Sequence, residues 1–181
     1  ETATGTVIFE KNADERREVA SITKLMTALL VLEALDRDEI ALTDSVQISP
    51  RAAAMKGSQA LLDASAVYPL EDLLRTTIMA SANDSAVALS EYIAGSEEHF
   101  VDRMNRRAAE LGMTNTNYVN CTGYPQSGQY TTARDVCRLC CEIAKHPRYN
   151  QYASVWIDKL THPGGRVTDL TNPNRLVRFY E

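Results

Sequence analysis

The sequence predicts a single α/β domain of the α+β kind, mostly helical with few strands. Three observations carry that expectation. Apolar residues recur at helical spacing through most of the longer segments, the β-rich alternating runs are few and short, and no internal repeat or linker divides the chain. At 181 residues, 44% apolar and 24% charged, usage is ordinary for a globular protein, which excludes disordered, collagen-like and low-complexity classes.

The elements follow in order. Thr6 to Glu10 (T-V-I-F-E) alternates and is β-rich, with Gly5 before it, so it reads as a strand leaving a turn. After a charged loop from Lys11 to Glu18, residues Ser21 to Leu35 carry a wide apolar stripe, the mark of a central helix. A short strand, Ser45 to Ile48, precedes Pro50, and a short helix covers Arg51 to Met55. Pro69 opens a helix from Leu70 to Ala80, with Glu71 and Asp72 in the first turn where the dipole favours acid. After Ser81-Ala82-Asn83 another helix runs from about Asp84 to Ile93 and stops at Gly95. Ser96 caps the next, which carries Phe100, Met104, Ala108 and Leu111 before Gly112 ends it. Met113 to Tyr130, rich in Asn, Thr and Gly, reads as a long loop. Thr132 and Asp135 resemble a capping box for a helix that ends near His146-Pro147. Ser154 to Thr161 reads as a strand, and Asn172 to Glu181 closes on the apolar phrase Leu-Val-Arg-Phe-Tyr.

Charge and cysteine usage narrow the function classes. With 19 Lys plus Arg against 24 Asp plus Glu the net charge is -5, without the basic excess of a nucleic-acid binder. Arg103, Arg106 and Arg107 sit at helical spacing and read as a solvated face. No stretch approaches the roughly 20 apolar residues that cross a bilayer. Glu1 is followed by neither a basic start nor an apolar run, so any export leader is expected to have been removed. Cys137, Cys140 and Cys141 fall in a helical pattern and are expected to be buried structural thiols rather than a metal site, while Cys121 has no assignable partner.

Two constellations carry chemistry. Ser21 and Lys24, in Ala20-Ser21-Ile22-Thr23-Lys24, stand three residues apart at a helix start, on one face and within mutual reach. A serine hydroxyl attacks only once something takes its proton. A lysine among apolar groups such as Leu25 and Met26 can lose its own and serve as that base, and a helix start offers free N–H groups to an oxyanion. The bland alternative is a capping serine and a solvated lysine. Ser81 and Asn83, two residues apart between helices, can pass a proton and hold a substrate amide. They also read as ordinary helix caps.

In that order, Ser-x-x-Lys and Ser-x-Asn are two thirds of the acyl-transfer set of penicillin-binding proteins and β-lactamases. The chain resembles the low-molecular-mass penicillin-binding proteins, the serine D-Ala-D-Ala carboxypeptidases, particularly those of spore-forming Gram-positive bacteria. The likeness extends to E-K-N-A-D-E-R-R before A-S-I-T-K-L-M-T, to L-E-D-L-L-R-T-T-I-M-A-S-A-N-D, to F-V-D-R-M-N-R-R-A-A-E-L-G-M-T-N-T, to T-T-A-R-D and to N-P-N-R-L. It implies a β-lactamase/transpeptidase-like fold, here the helical lobe with an incomplete antiparallel sheet. It makes Ser21 the acylated nucleophile and Lys24 its base, with Ser81 shuttling a proton to the departing D-alanine and Asn83 orienting Lys24 and the substrate amide. The implied substrates are peptidoglycan pentapeptides, with β-lactams acylating Ser21. The implied place of action is extracytoplasmic, at the outer face of the cytoplasmic membrane or the cell wall. No metal or organic cofactor is implied.

The family's third motif, Lys-Thr-Gly, is expected just after the segment matching Asn172 to Tyr180, and neither it nor Lys-Ser-Gly occurs in the chain. The first sheet strand and the membrane-anchoring tail are likewise expected outside it. The expectation is therefore one catalytic domain over 1–181, incomplete at both ends, with apolar surface that a covering partner or self-association would shield. Two rival readings remain. A serine β-lactamase shares Ser-x-x-Lys, but its class A form prefers Asp where this chain has Ala82. A β-lactam sensor or scaffold would acylate without turning over.

Overall fold

The computed structural model describes residues 1–179. A 3-10 turn, Ser21–Thr23, runs into helix α1, Lys24–Asp36. Nine of α1's residues are buried, among them Met26, Leu29 and Val31, so it is covered on nearly all sides. The cover comes from α3 (Leu70–Met79), α4 (Asn83–Ala94), α5 (Glu97–Glu110), α6 (Ala133–Ile143) and α7 (Pro147–Ala153). A helix this apolar has no face to show water, which is why it becomes the axle of the lobe.

The helix ends follow their residues. Ser96 Oγ accepts from His99 N at 3.2 Å to cap α5, and Thr132 Oγ1 accepts from Asp135 N at 3.2 Å to cap α6. Gly95 ends α4 in the left-handed region, with φ +79°. Of the expected basic face, Arg103 and Arg106 are exposed, but Arg107 is not a solvated residue. It reaches Glu33 of α1 at 2.8 Å and Glu142 of α6 at 3.4 Å, and so ties three helices together.

Two antiparallel ribbons flank the helices. β1 (Ser45–Gln47) pairs with β2 (Val67–Pro69), Val46 opposite Tyr68. β3 (Ile157–Thr161) pairs with β4 (Val167–Thr171), Leu160 opposite Thr168. Short helices α2 (Pro50–Ala53) and α8 (Leu176–Phe179) complete the described residues. Tyr180 and Glu181, the last of the expected apolar phrase, lie outside them.

Several expectations are corrected. Thr6 to Glu10 is no strand: it has no pairing partner among the described residues, and Val7, Ile8 and Phe9 are exposed. The helix expected to reach His146 stops at Ile143, and a separate helix, α7, starts at Pro147, whose missing N–H and fixed φ suit a first helical position. The strand expected from Ser154 begins at Ile157. The thiols of α6 are not buried: Cys137 and Cys140 are exposed and Cys141 is intermediate. The inward face of α6 is Asp135, Leu139 and Ile143, which leaves Cys137 and Cys141 on the far side. Cys121, by contrast, is fully buried.

The β3–β4 ribbon is latched to the lobe through His162, whose side chain is fully buried. Its Nδ1 lies 2.7 Å from Tyr68 Oη and its Nε2 lies 2.8 Å from Thr168 Oγ1. Arg166 closes the cluster by donating to Asp63 Oδ1 at 2.7 Å and to Leu61 O at 2.6 Å. Burial holds the imidazole below its ordinary 6.5, the Arg166 cation adds to this, and the Asp63 and Asp84 carboxylates oppose it. The folded state therefore binds fewer protons than the unfolded chain just below pH 6.5. Stability is expected to fall as pH drops through that window, and a His162→Gln protein should show a flatter dependence. Urea unfolding between pH 7 and pH 5 checks this; parallel curves for the two proteins would rule it out.

Candidate active site

Ser21 sits at the end of an exposed approach, and the 3-10 turn brings its hydroxyl over the first residue of α1. Lys24 Nζ donates to Ser21 Oγ at 3.2 Å and to Thr122 O at 2.7 Å. Only 4% of Lys24 is exposed, whereas Ser21 is exposed. A buried amine beneath an accessible hydroxyl is the arrangement acyl transfer needs. Burial pushes the Lys24 ammonium down from 10.5 to about 8, with the Asp84 carboxylate opposing the shift. Burial also pushes the Cys121 thiol well up, so that it stays protonated and adds no negative charge beside Lys24. The backbone N–H of Ser21 makes no hydrogen bond among the described residues and is free to face an oxyanion.

The second constellation closes on the first. Ser81 turns the chain between α3 and α4 with φ +57°, a left-handed conformation that is strained for a residue with a Cβ. That turn brings Ser81 to a cavity of about 70 Å³ that Ser21, Lys24, Leu25, Thr77 and Tyr149 also line. Three of the four expected site residues therefore share one space. Asn83 does not join them in the expected way. Its Nδ2 donates to Lys56 O at 2.5 Å and packs on Gly57, and among the described residues no hydrogen bond links it to Lys24. Its Oδ1 accepts nothing from those residues. Next to it, the buried Asp84 carboxylate accepts from Ala60 N at 2.9 Å and Leu62 N at 3.1 Å, pinning the 57–62 loop beside the motif.

The supports of Lys24 come from residues that motif reasoning passed over. Asn120 Oδ1 accepts from Gly123 N at 2.7 Å and from Thr122 N at 3.2 Å, which folds 120–123 into a compact turn. Glu97 Oε1 accepts from Cys121 N at 2.9 Å, and Thr27 Oγ1 donates to Cys121 O at 2.7 Å. Gln129 Nε2 donates to Val19 O at 3.2 Å. This turn delivers the Thr122 carbonyl to Lys24 from 98 residues away in sequence. Its only sequence signal is an Asn and a Gly three residues apart in a polar loop.

Helical lobe, small antiparallel ribbons and a Ser–Lys pair beside a second serine together define a protein of the penicillin-binding, β-lactamase/transpeptidase-like class. More particularly, the chain belongs to the D-alanyl-D-alanine carboxypeptidase family, whose model matches residues 1–181. It is 40% identical over 180 residues to the D-alanyl-D-alanine carboxypeptidase DacF of Bacillus subtilis, covering 99% of this chain and 46% of that protein. The D-alanyl-D-alanine carboxypeptidase DacD of Francisella tularensis has a similar structure, with a TM-score of 0.94 at 26% identity over 99% of this chain and 55% of that one. PBP3 of Streptococcus pneumoniae gives a TM-score of 0.87 at 33% identity over 97% and 53%. The chain thus spans about half the length of these proteins.

Proposed function

We propose that the protein is a serine-type D-alanyl-D-alanine carboxypeptidase that trims terminal D-alanine from peptidoglycan stem peptides through an acyl-enzyme. The observation that carries the reading is the 3.2 Å contact between the buried, easily deprotonated Lys24 amine and the exposed Ser21 hydroxyl. Neutral Lys24 takes the hydroxyl proton as Ser21 Oγ bonds to the carbonyl carbon of the penultimate D-alanine. The Ser21 N–H faces the developing oxyanion. The peptide bond breaks as Ser81 relays a proton to the leaving amine, and water then hydrolyses the ester. Asn83, held through its amide nitrogen by Lys56 O, offers its carbonyl oxygen to the substrate amide rather than orienting Lys24.

The substrate partners in this reading are peptidoglycan pentapeptides and β-lactams, and the place of action is outside the cytoplasmic membrane. No described helix is long and apolar enough to cross a membrane. Exposed Ile8, Phe9, Ile157 and Phe179 support a covering partner or self-association.

Intact-mass measurement after incubation with a labelled penicillin, followed by peptide mapping, tests the reading alongside D-alanine release from a pentapeptide. One adduct on Ser21 with D-alanine release is expected. Folded protein that forms no adduct, or forms it elsewhere, overturns the assignment.

A further inference from the structure

Glu97 stands at the first position of α5, where an acidic side chain ordinarily faces water and complements the helix dipole. This one turns inward. Glu97 is buried, whereas Glu98 beside it is exposed. Its two oxygens have different tasks. Oε2 pairs with the Arg51 guanidinium of α2, which also lies 3.7 Å from Glu91 Oε1 of α4. Oε1 accepts from Cys121 N at 2.9 Å. The Arg51 cation offsets the burial of the carboxylate, and a charged acceptor holds an N–H about twice as firmly as a neutral one.

Cys121 is gripped from both sides. Thr27 of α1, one turn beyond Lys24, donates to its carbonyl at 2.7 Å. Among the described residues neither the N–H nor the C=O of Cys121 bonds to backbone, so side chains hold both. The next carbonyl, Thr122 O, is the one that Lys24 Nζ donates to at 2.7 Å, and the same Nζ reaches Ser21 Oγ at 3.2 Å. Asn120 closes the 120–123 turn from within by accepting from Thr122 N and Gly123 N, which sets its shape. The grip on Cys121 sets its place, because Glu97 and Thr27 belong to α5 and α1 rather than to the turn.

We propose that Glu97 is a positioning residue for acylation: through Cys121 it fixes the Thr122 carbonyl against Lys24, and so holds the Lys24 amine on the Ser21 hydroxyl. This role deepens the acyl-enzyme reading given above and rests on it. Glu97 touches no reacting atom. A lysine stem has many rotamers, and a second acceptor in a fixed place confines Nζ to the one approach that meets Oγ.

Two variants of similar size separate this role from packing. Glu97→Gln keeps an oxygen for Cys121 N, and Glu97→Met fills the space without one. For each, the Ser21 acylation rate at saturating labelled penicillin and the half-saturating concentration are measured. Glu97→Met is expected to slow the saturating rate by at least about tenfold while the half-saturating concentration stays within about twofold. Glu97→Gln should restore the rate to within about threefold of wild type. Ser96→Ala removes the neighbouring cap of α5 without touching Cys121 and should acylate at the wild-type rate. Equal rates in the methionine and glutamine proteins overturn the proposal. So does a Ser96→Ala protein as slow as Glu97→Met, because a loosened start of α5 would then account for both. Glu97→Ala, where a water can take part of the acceptor's place, should fall between the two. It carries the comparison if the methionine protein does not fold, and a rate equal to that of Glu97→Gln then overturns the proposal. A wild-type protein that forms no Ser21 adduct overturns the acyl-enzyme reading itself, and this proposal with it.

Discussion

Replacing Lys24 by methionine is expected to abolish acylation of Ser21 while leaving the protein at least as stable as the wild type. The first half follows from the geometry. Nζ is the only base in contact with Ser21 Oγ among the described residues, and loss of a positioned base costs roughly 10²–10⁴ in rate. The second half follows from burial. An ammonium held at about 8 rather than 10.5 disfavours the folded state at pH 7 by about 3 kcal/mol. Methionine relieves that cost and fills similar space, but it leaves Thr122 O without its 2.7 Å donor, which returns about 1–3 kcal/mol. The net expectation at pH 7 is between no change and about 2 kcal/mol of added stability.

The pH dependence carries the same sign. Between about 8 and 10.5 the unfolded chain binds the Lys24 proton that the folded protein has released. Wild-type stability therefore gains from this group as pH rises through that window, and the advantage of methionine shrinks. Acylation by the wild type should rise with pH through about 8 as the neutral amine fills. Acylation rates from pH 6 to 9, with urea unfolding at pH 7 and 9.5, measure all of this. A wild-type acylation rate that is flat across pH 8, or a methionine variant that still acylates, would remove Lys24 from the role of base.

The Ser21–Lys24 pair was legible in the sequence because its geometry is local: three residues at a helix start need no tertiary contact to share a face. The caps at Ser96 and Thr132 and the stop at Gly95 were legible for the same reason. What escaped was non-local. β2 is three residues long and becomes a strand only by pairing Val67–Pro69 with Ser45–Gln47. The β-rich Thr6 to Glu10 finds no such partner among the described residues and stays irregular. The thiols of α6 were misplaced because cysteine suits either face of a helix, and the burial of Leu139 and Ile143 decided which face turned inward. Within the site, Lys24's second acceptor is a backbone carbonyl, a group every residue carries, so no residue type could announce Thr122. Asn83 shows the converse. Its motif position was readable, but its hydrogen bond to Lys56 O depends on where the Gly57 loop folds.

Gly123→Ala is expected to be among the most damaging single changes, out of proportion to the one methyl it adds. Gly123 has φ +78°, where a Cβ alone costs about 1–2 kcal/mol. The larger cost is steric. The added Cβ would lie 1.9 Å from Ala20 O, 2.3 Å from Ala20 C and 2.9 Å from Ser21 N, all backbone atoms that no rotamer change can move aside. Either the Asn120–Gly123 turn lifts away and takes the Thr122 carbonyl from Lys24, or the approach to Ser21 shifts. Both disturb Ser21, the proposed nucleophile. The expectation is a loss of at least about 3 kcal/mol, roughly 10 °C in Tm for a chain this size, with acylation down by more than about tenfold. Gly128→Ala supplies the control, since it shares the loop and a positive φ of +91°, yet its Cβ would meet only Val119 Cγ1 at 3.7 Å. That variant should lose only the conformational cost, about 1–2 kcal/mol, and acylate normally. Thermal unfolding and penicillin acylation of the two side by side decide the matter. If Gly123→Ala were no worse than Gly128→Ala, the close seat of the turn on Ala20 and Ser21 would not be what holds the nucleophile in place.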